Sequence, residues 1–189
     1  MTQVKDIKVD SAVFTFMLEV ALAGAADPEP VFDPKYHMPF DSPGWGSPST
    51  WIEAAQAIVN LTWNFPQDQR ALPAFRRLAD DPVPAVRFQI ARGLVALYTR
   101  EETREEFWET VGRMLKAEPT SGVVLGLLQS LGQIAGREPD RTMSVLSEYI
   151  EQNYRQSEKS EVTRMVVGIA VGLYLAQGTP SAPFPAPTL

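Results

Sequence analysis

Asp81–Arg100, DPVPAVRFQIARGLVALYTR, and Ser121–Gly136, SGVVLGLLQSLGQIAG, decide the fold. In the first, Val86, Ile90, Leu94 and Leu97 recur at helical spacing. In the second, Val123, Leu127, Leu131 and Ile134 do the same, each 37 positions later. A third stretch, SEVTRMVVGIAVGLYLAQ, continues the series 39 positions further on through Val162, Val166 and Leu173. Apolar residues three and four apart form one stripe of a helix, and no alternating β pattern competes with it. Between these helices lie others: RALPAFRRLAD, stopped by Asp80-Asp81-Pro82; TREEFWETVGRMLKAE, where Thr103 and Glu106 have capping-box spacing; and PDRTMSVLSEYIEQNY, which opens on Pro139 in a favoured first-turn position. The unit that repeats is therefore a pair of helices. One pair cannot bury its own apolar face, but stacked pairs bury a continuous core.

Upstream, a helix is expected from about Ser11 to Ala25, with Val13, Met17 and Val20 on one stripe, stopped by Asp27, Pro28 and Pro30. A further helix starts near Thr50, where Thr50 and Glu53 again have capping-box form. Residues 27–49 between them, dense in Pro, Gly and aromatics, are long for a connector and so either functional or packed over their neighbours. The expected organisation is one all-α repeat domain over residues 1–177, built of about four helix pairs, followed by a tail at 178–189 whose four prolines cannot continue a helix.

The segment DPVPAVR resembles the turn of a HEAT repeat, in which an acidic residue in the turn is followed by Val-Arg at the start of the second helix. Asp81 and Arg87 stand six apart as that pattern asks, and Glu158 and Arg164 repeat the spacing. The middle pair departs, because Glu118 is followed by Val124 where an arginine is expected. The resemblance covers roughly residues 67–177 and implies an α-solenoid of HEAT-like or armadillo-like hairpins, a fold that serves scaffolds, nucleic-acid binders and some enzymes. The wording of the repeats is also similar to helical arrays of large bacterial ATP-binding sensor and defence proteins. No GxxxxGK[ST] loop is present, so the chain would supply only a sensing or scaffolding part.

Composition narrows the function classes. The 189 residues carry 17 basic and 23 acidic side chains, a net charge of −6, which opposes binding to a phosphate backbone. With no cysteine there is neither a disulfide framework, a thiolate nucleophile nor a Cys-type zinc site, which suits a reducing cytoplasm. The longest apolar run, Met165 to Ala176, is too short for a bilayer and reads as a core helix. His37, the sole histidine, lies near Asp33 and Asp41, a sparse set for a metal. Glu101, Glu102, Glu105, Glu106 and Glu109 read as first-turn carboxylates complementing a helix dipole rather than as acid–base catalysts. Neither a catalytic residue, a metal nor a cofactor is therefore assigned, and the chain is not read as an enzyme.

The leading expectation is a scaffold or sensor module that binds a protein. Its concave face, lined by second helices, would present Gln89, Arg92, Gln129, Gln133 and Arg164. Trp45, between glycines in the long loop, is either an added binding anchor or a plug on the first helices. Self-association is expected at the last helix, where Gly168 and Gly172 stand four apart in an uncharged stretch, unless the tail covers it through Phe184 and Leu189. The alternatives are a nucleic-acid-binding HEAT-like protein, some of which excise bases, and a HEAT-like lyase or chaperone closing on a small ligand.

Overall fold

Ser11 starts the first helix, its hydroxyl accepting the Phe14 N–H at 3.2 Å. The computed structural model describes residues 11–26, 50–153 and 161–177. In order the helices are α1 (Ala12–Ala25), α2 (Thr50–Asn64), α3 (Leu72–Ala79), α4 (Pro84–Gly93), α5 (Val95–Tyr98), α6 (Arg104–Ala117), α7 (Ser121–Ile134), α8 (Pro139–Asn153) and α9 (Glu161–Gln177). No strand occurs among the described residues, so the chain is all-α. Where the sequence reading placed one repeat domain, contacts group the chain into two compact units, Met1–Ser130 and Leu131–Leu189, dividing inside α7.

In the first unit the helix ends are held by arginines from later elements. Free carbonyls at a helix C-terminus need donors, and a guanidinium supplies several. Arg77 of α3 donates to the Ala25 carbonyl at the end of α1. Arg100, beyond α5 and only 6% exposed, sends Nη2 to the carbonyls of Thr62 at 3.5 Å, Phe65 at 3.3 Å and Asp68 at 2.9 Å, around the end of α2. Burial holds its pKa below the usual arginine value, against the opposing pull of Asp68 and Glu102. Ion pairs join α3 to α6 as well: Arg76 grips Glu106 with two bonds of 2.6 and 2.8 Å, and Arg113 meets Asp80.

The core beneath is aromatic and aliphatic. Phe14, Phe75, Phe88, Phe107, Ile58 and Leu94 are wholly buried, and Phe14 of α1 meets Phe65 edge-on at 4.5 Å. Close approach between helices relies on missing side chains. A Cβ at Gly93 would fall 2.7 Å from Cγ2 and 2.9 Å from Cβ of Val59, and nearer still to Cγ1, so α2 lies where only hydrogen leaves room. Gly126 of α7 sits against Phe88, Ala91 and Arg92 of α4, a Cβ there coming within 3.2 Å of Ala91.

Three sequence expectations change. The helix expected through Tyr98 breaks after Gly93, giving α4 and the short α5. The hydroxyl of Ser130 in α7 donates to the carbonyls of Ala91 at 2.7 Å and Arg92 at 2.9 Å beside the break. The Thr103–Glu106 capping box does not form: the Thr103 hydroxyl donates to the Leu97 carbonyl at 2.6 Å, and Glu106 is taken by Arg76. On α1 the buried stripe is Phe14, Leu18, Ala21 and Ala25, whereas Val13, Met17 and Val20 are exposed. Both faces of this helix are apolar, and contact with α2 chooses the one carrying Phe14.

Candidate interaction surfaces

The turn between α3 and α4 is the most elaborately bonded polar feature of the first unit. Asp81 is 5% exposed, and its Oδ1 accepts the Val83 N–H at 2.9 Å, capping the chain as it enters α4. Burial raises the Asp81 pKa, opposed by the Val83 N–H and by Arg77 and Arg87. Arg87 donates Nη1 to the backbone carbonyls of Asp81 at 2.7 Å and Pro82 at 3.0 Å. Its Nε and Nη2 bind both oxygens of Glu118 at 2.7 and 2.8 Å, in a bidentate, mostly buried pair. Glu118, 37 positions after Asp81, also accepts the Thr120 N–H at 3.0 Å, so the two acids do equivalent work in successive turns. The expected Asp81–Arg87 link thus exists through the Asp81 carbonyl, while the carboxylate partner of Arg87 is Glu118. Glu158, paired with Arg164 in the sequence reading, lies outside the described residues.

These groups line an open cleft of about 280 Å³ with Ala79, Pro82, Met114, Ala117 and Pro119. Its charges satisfy one another: Arg87 on Glu118 and Arg113 on Asp80. Among the described residues no group of three or more His, Cys, Asp or Glu side chains could hold a metal. His37, Asp33, Asp41 and Trp45 lie outside the described residues.

The expected polar face is only partly presented. Gln89 is 6% exposed and so is unavailable to a partner, α4 being buried on that side too. Arg92 faces solvent, its guanidinium 5.6 Å from the centre of the Phe88 ring, and Gln129, in the equivalent position 37 later, is half-buried. Gln133 and Arg164 are exposed and belong to the second unit.

The larger exposed feature is apolar. On α1, Val13, Phe16, Met17 and Val20 form a continuous stripe open to solvent, Phe16 at 65% exposure, and Glu19 is the only charged residue of the helix. On α9, Val167, Val171, Tyr174 and Leu175 form another, Leu175 at 72% exposure. Among the described residues nothing lies within 4 Å of where side chains at Gly168 and Gly172 would project, whereas Gly132 in the same unit is met by Ile169 at 3.6 Å. Isolated exposed apolar residues are ordinary on a protein surface, but a stripe of four on one helix is a candidate contact surface. The α9 stripe was legible as an uncharged run. The α1 stripe was missed as a surface because Val13, Met17 and Val20 were read only as the periodicity of a helix, with no face assigned to solvent. The signal was that AVFTFMLEV has apolar residues on every side. No described helix is long and apolar enough to cross a membrane.

Comparison with protein-family models, with curated proteins and with solved structures finds no match for this chain.

Proposed function

We propose that this chain is a HEAT-like helical-repeat module whose work is to hold another protein. Its principal docking element is the apolar stripe of α9. The observation that carries this reading is the exposure of Val167, Val171, Tyr174 and Leu175 on a helix with no charge between Arg164 and its end at Gln177. A helix face that leaves four large apolar side chains in water is stabilised when something covers it. The repeat supports the solenoid part of the reading: helix pairs recur at 37 to 39 residues, and α4 and α7 pack through Gly126 in the register that the repeat implies. Arg92 in the first unit and Arg164 in the second are exposed polar groups that can orient a partner. Apolar anchors supply most of the affinity in such contacts and polar neighbours supply register. Nucleic acid is the weaker reading, since Arg76, Arg87 and Arg113 are occupied by Glu106, Glu118 and Asp80.

The test is affinity for a captured protein partner, measured against Leu175→Lys and Val171→Lys in the full chain. Each should weaken binding at least about tenfold, the loss of one buried anchor, with little dependence on salt. A partner held equally well by both variants, and released steeply by salt, would overturn the reading in favour of an electrostatic surface.

A further inference from the structure

We infer that the protein docking on the α9 stripe is a second copy of this chain, seated through its α1 stripe. The inference rests on the proposed role of α9 and names its occupant.

Three observations select this occupant. The first is continuity with the way the chain already packs. Gly93 admits Val59 of α2, Gly126 lies against α4, and Gly132 is met by Ile169 of α9. In each contact a helix of the repeat offers a glycine and its neighbour brings a side chain. Gly168 and Gly172 offer the same feature on α9 with nothing within 4 Å among the described residues, so α9 carries the receiving half of a contact that this chain makes repeatedly. The second is fit. Phe16 and Met17 of α1 are large exposed side chains of the kind that fill such gaps. The stripe from Val13 to Val20 runs about 10 Å and that from Val167 to Leu175 about 12 Å, at 1.5 Å per helical residue. The third is charge. Arg164, one turn before Val167 and Gly168, is exposed, as is Glu19, which flanks Phe16 and Val20. Among the described residues neither makes an ion pair within its own chain. Across an α9–α1 contact the two are opposite in sign and fix its register.

The competing arrangement, α9 against α9, leaves the α1 stripe in water and offers Arg164 only Glu161, which lies one turn before it outside the apolar stripe. The heterologous contact covers both stripes at once. Two copies closing on each other make a dimer, and copies that do not close add on further.

Sedimentation of the full chain across about 1–200 µM, the affinity range of modest interfaces, tests this. The expected result is a mass that rises above the monomer with concentration. Phe16→Asp and Leu175→Asp should each abolish that rise while keeping the helical spectrum, because both positions are exposed. An equimolar mixture of the two should regain association and stop at a dimer, since one variant supplies an intact α9 and the other an intact α1. Val20→Lys with Val171→Lys should give the same pattern and guards against a folding defect in the first pair. A wild-type chain that stays monomeric throughout overturns the inference; if that monomer still binds a different protein through Leu175, the proposed function stands without it. Association that persists in Phe16→Asp overturns it in favour of α9 on α9, and a mixture that fails to recover overturns it outright.

Discussion

Arg87 joins two turns with one side chain. Its Nη1 rests on the carbonyls of Asp81 and Pro82, and its other edge holds Glu118 from the next pair. Replacing it with alanine leaves the largely buried carboxylate of Glu118 with only the Thr120 N–H. Arg87→Ala should therefore lower stability by about 1–3 kcal/mol. In a double-mutant cycle with Glu118→Gln, urea midpoints should show the two losses to be less than additive. Additive losses would mean that the two residues act separately. The six-residue spacing from Asp81 to Arg87 was legible in the sequence, and the link is there. The role of Glu118 was not, because its arginine was sought six positions ahead, at Val124, whereas it comes from 31 positions behind. Spacing within one repeat says nothing about which repeat supplies the partner. Gln89 shows the same limit: a polar residue on an apolar helix reads as solvent-facing, yet α4 is enclosed on that side.

At the level of the helix, positions and types were largely legible and faces were less so. Periodicity located α3, α6, α7, α8 and α9 to within a few residues, because prolines and acidic turns punctuate them. It did not locate the break between α4 and α5, since Gly93-Leu94-Val95 keeps the apolar spacing through the interruption. What decides there is contact: the Gly93 backbone lies against Val59. Gly93→Ala should accordingly destabilise the protein by about 1–3 kcal/mol, as overpacking does, despite the better helix propensity of alanine. Thermal unfolding would check this, and adding Val59→Ala should return part of the loss. A Gly93→Ala protein as stable as the parent would mean that α2 yields freely at this point. On α1, polarity could not name the buried face, because Val13, Phe14, Met17 and Leu18 are alike in kind. Only α2 breaks the tie.

Across the whole molecule, the all-α class was legible from the helical recurrence of apolar residues, as were the order of the helices and the uncharged run inside α9. The division into Met1–Ser130 and Leu131–Leu189 was not, because the recurrence runs through it without a change in composition or a linker. One property of the first unit has a bearing on how the chain is made. Its side-chain bonds between helices join residues at separations that stay within one or two repeats: 30 from Arg76 to Glu106, 31 from Arg87 to Glu118, 39 from Ser130 to Ala91 and 52 from Arg77 to Ala25. None of these has to wait for α8 or α9. A chain leaving the ribosome can close them in the order of translation, each sealing the helix that emerged shortly before. Nascent chains halted with residues 1–130 clear of the exit tunnel should already resist a protease that cuts the same segment when Arg77 and Arg100 are both replaced by alanine. If protection appears only after α9 has emerged, these arginines lock a structure that the end of the chain must first complete.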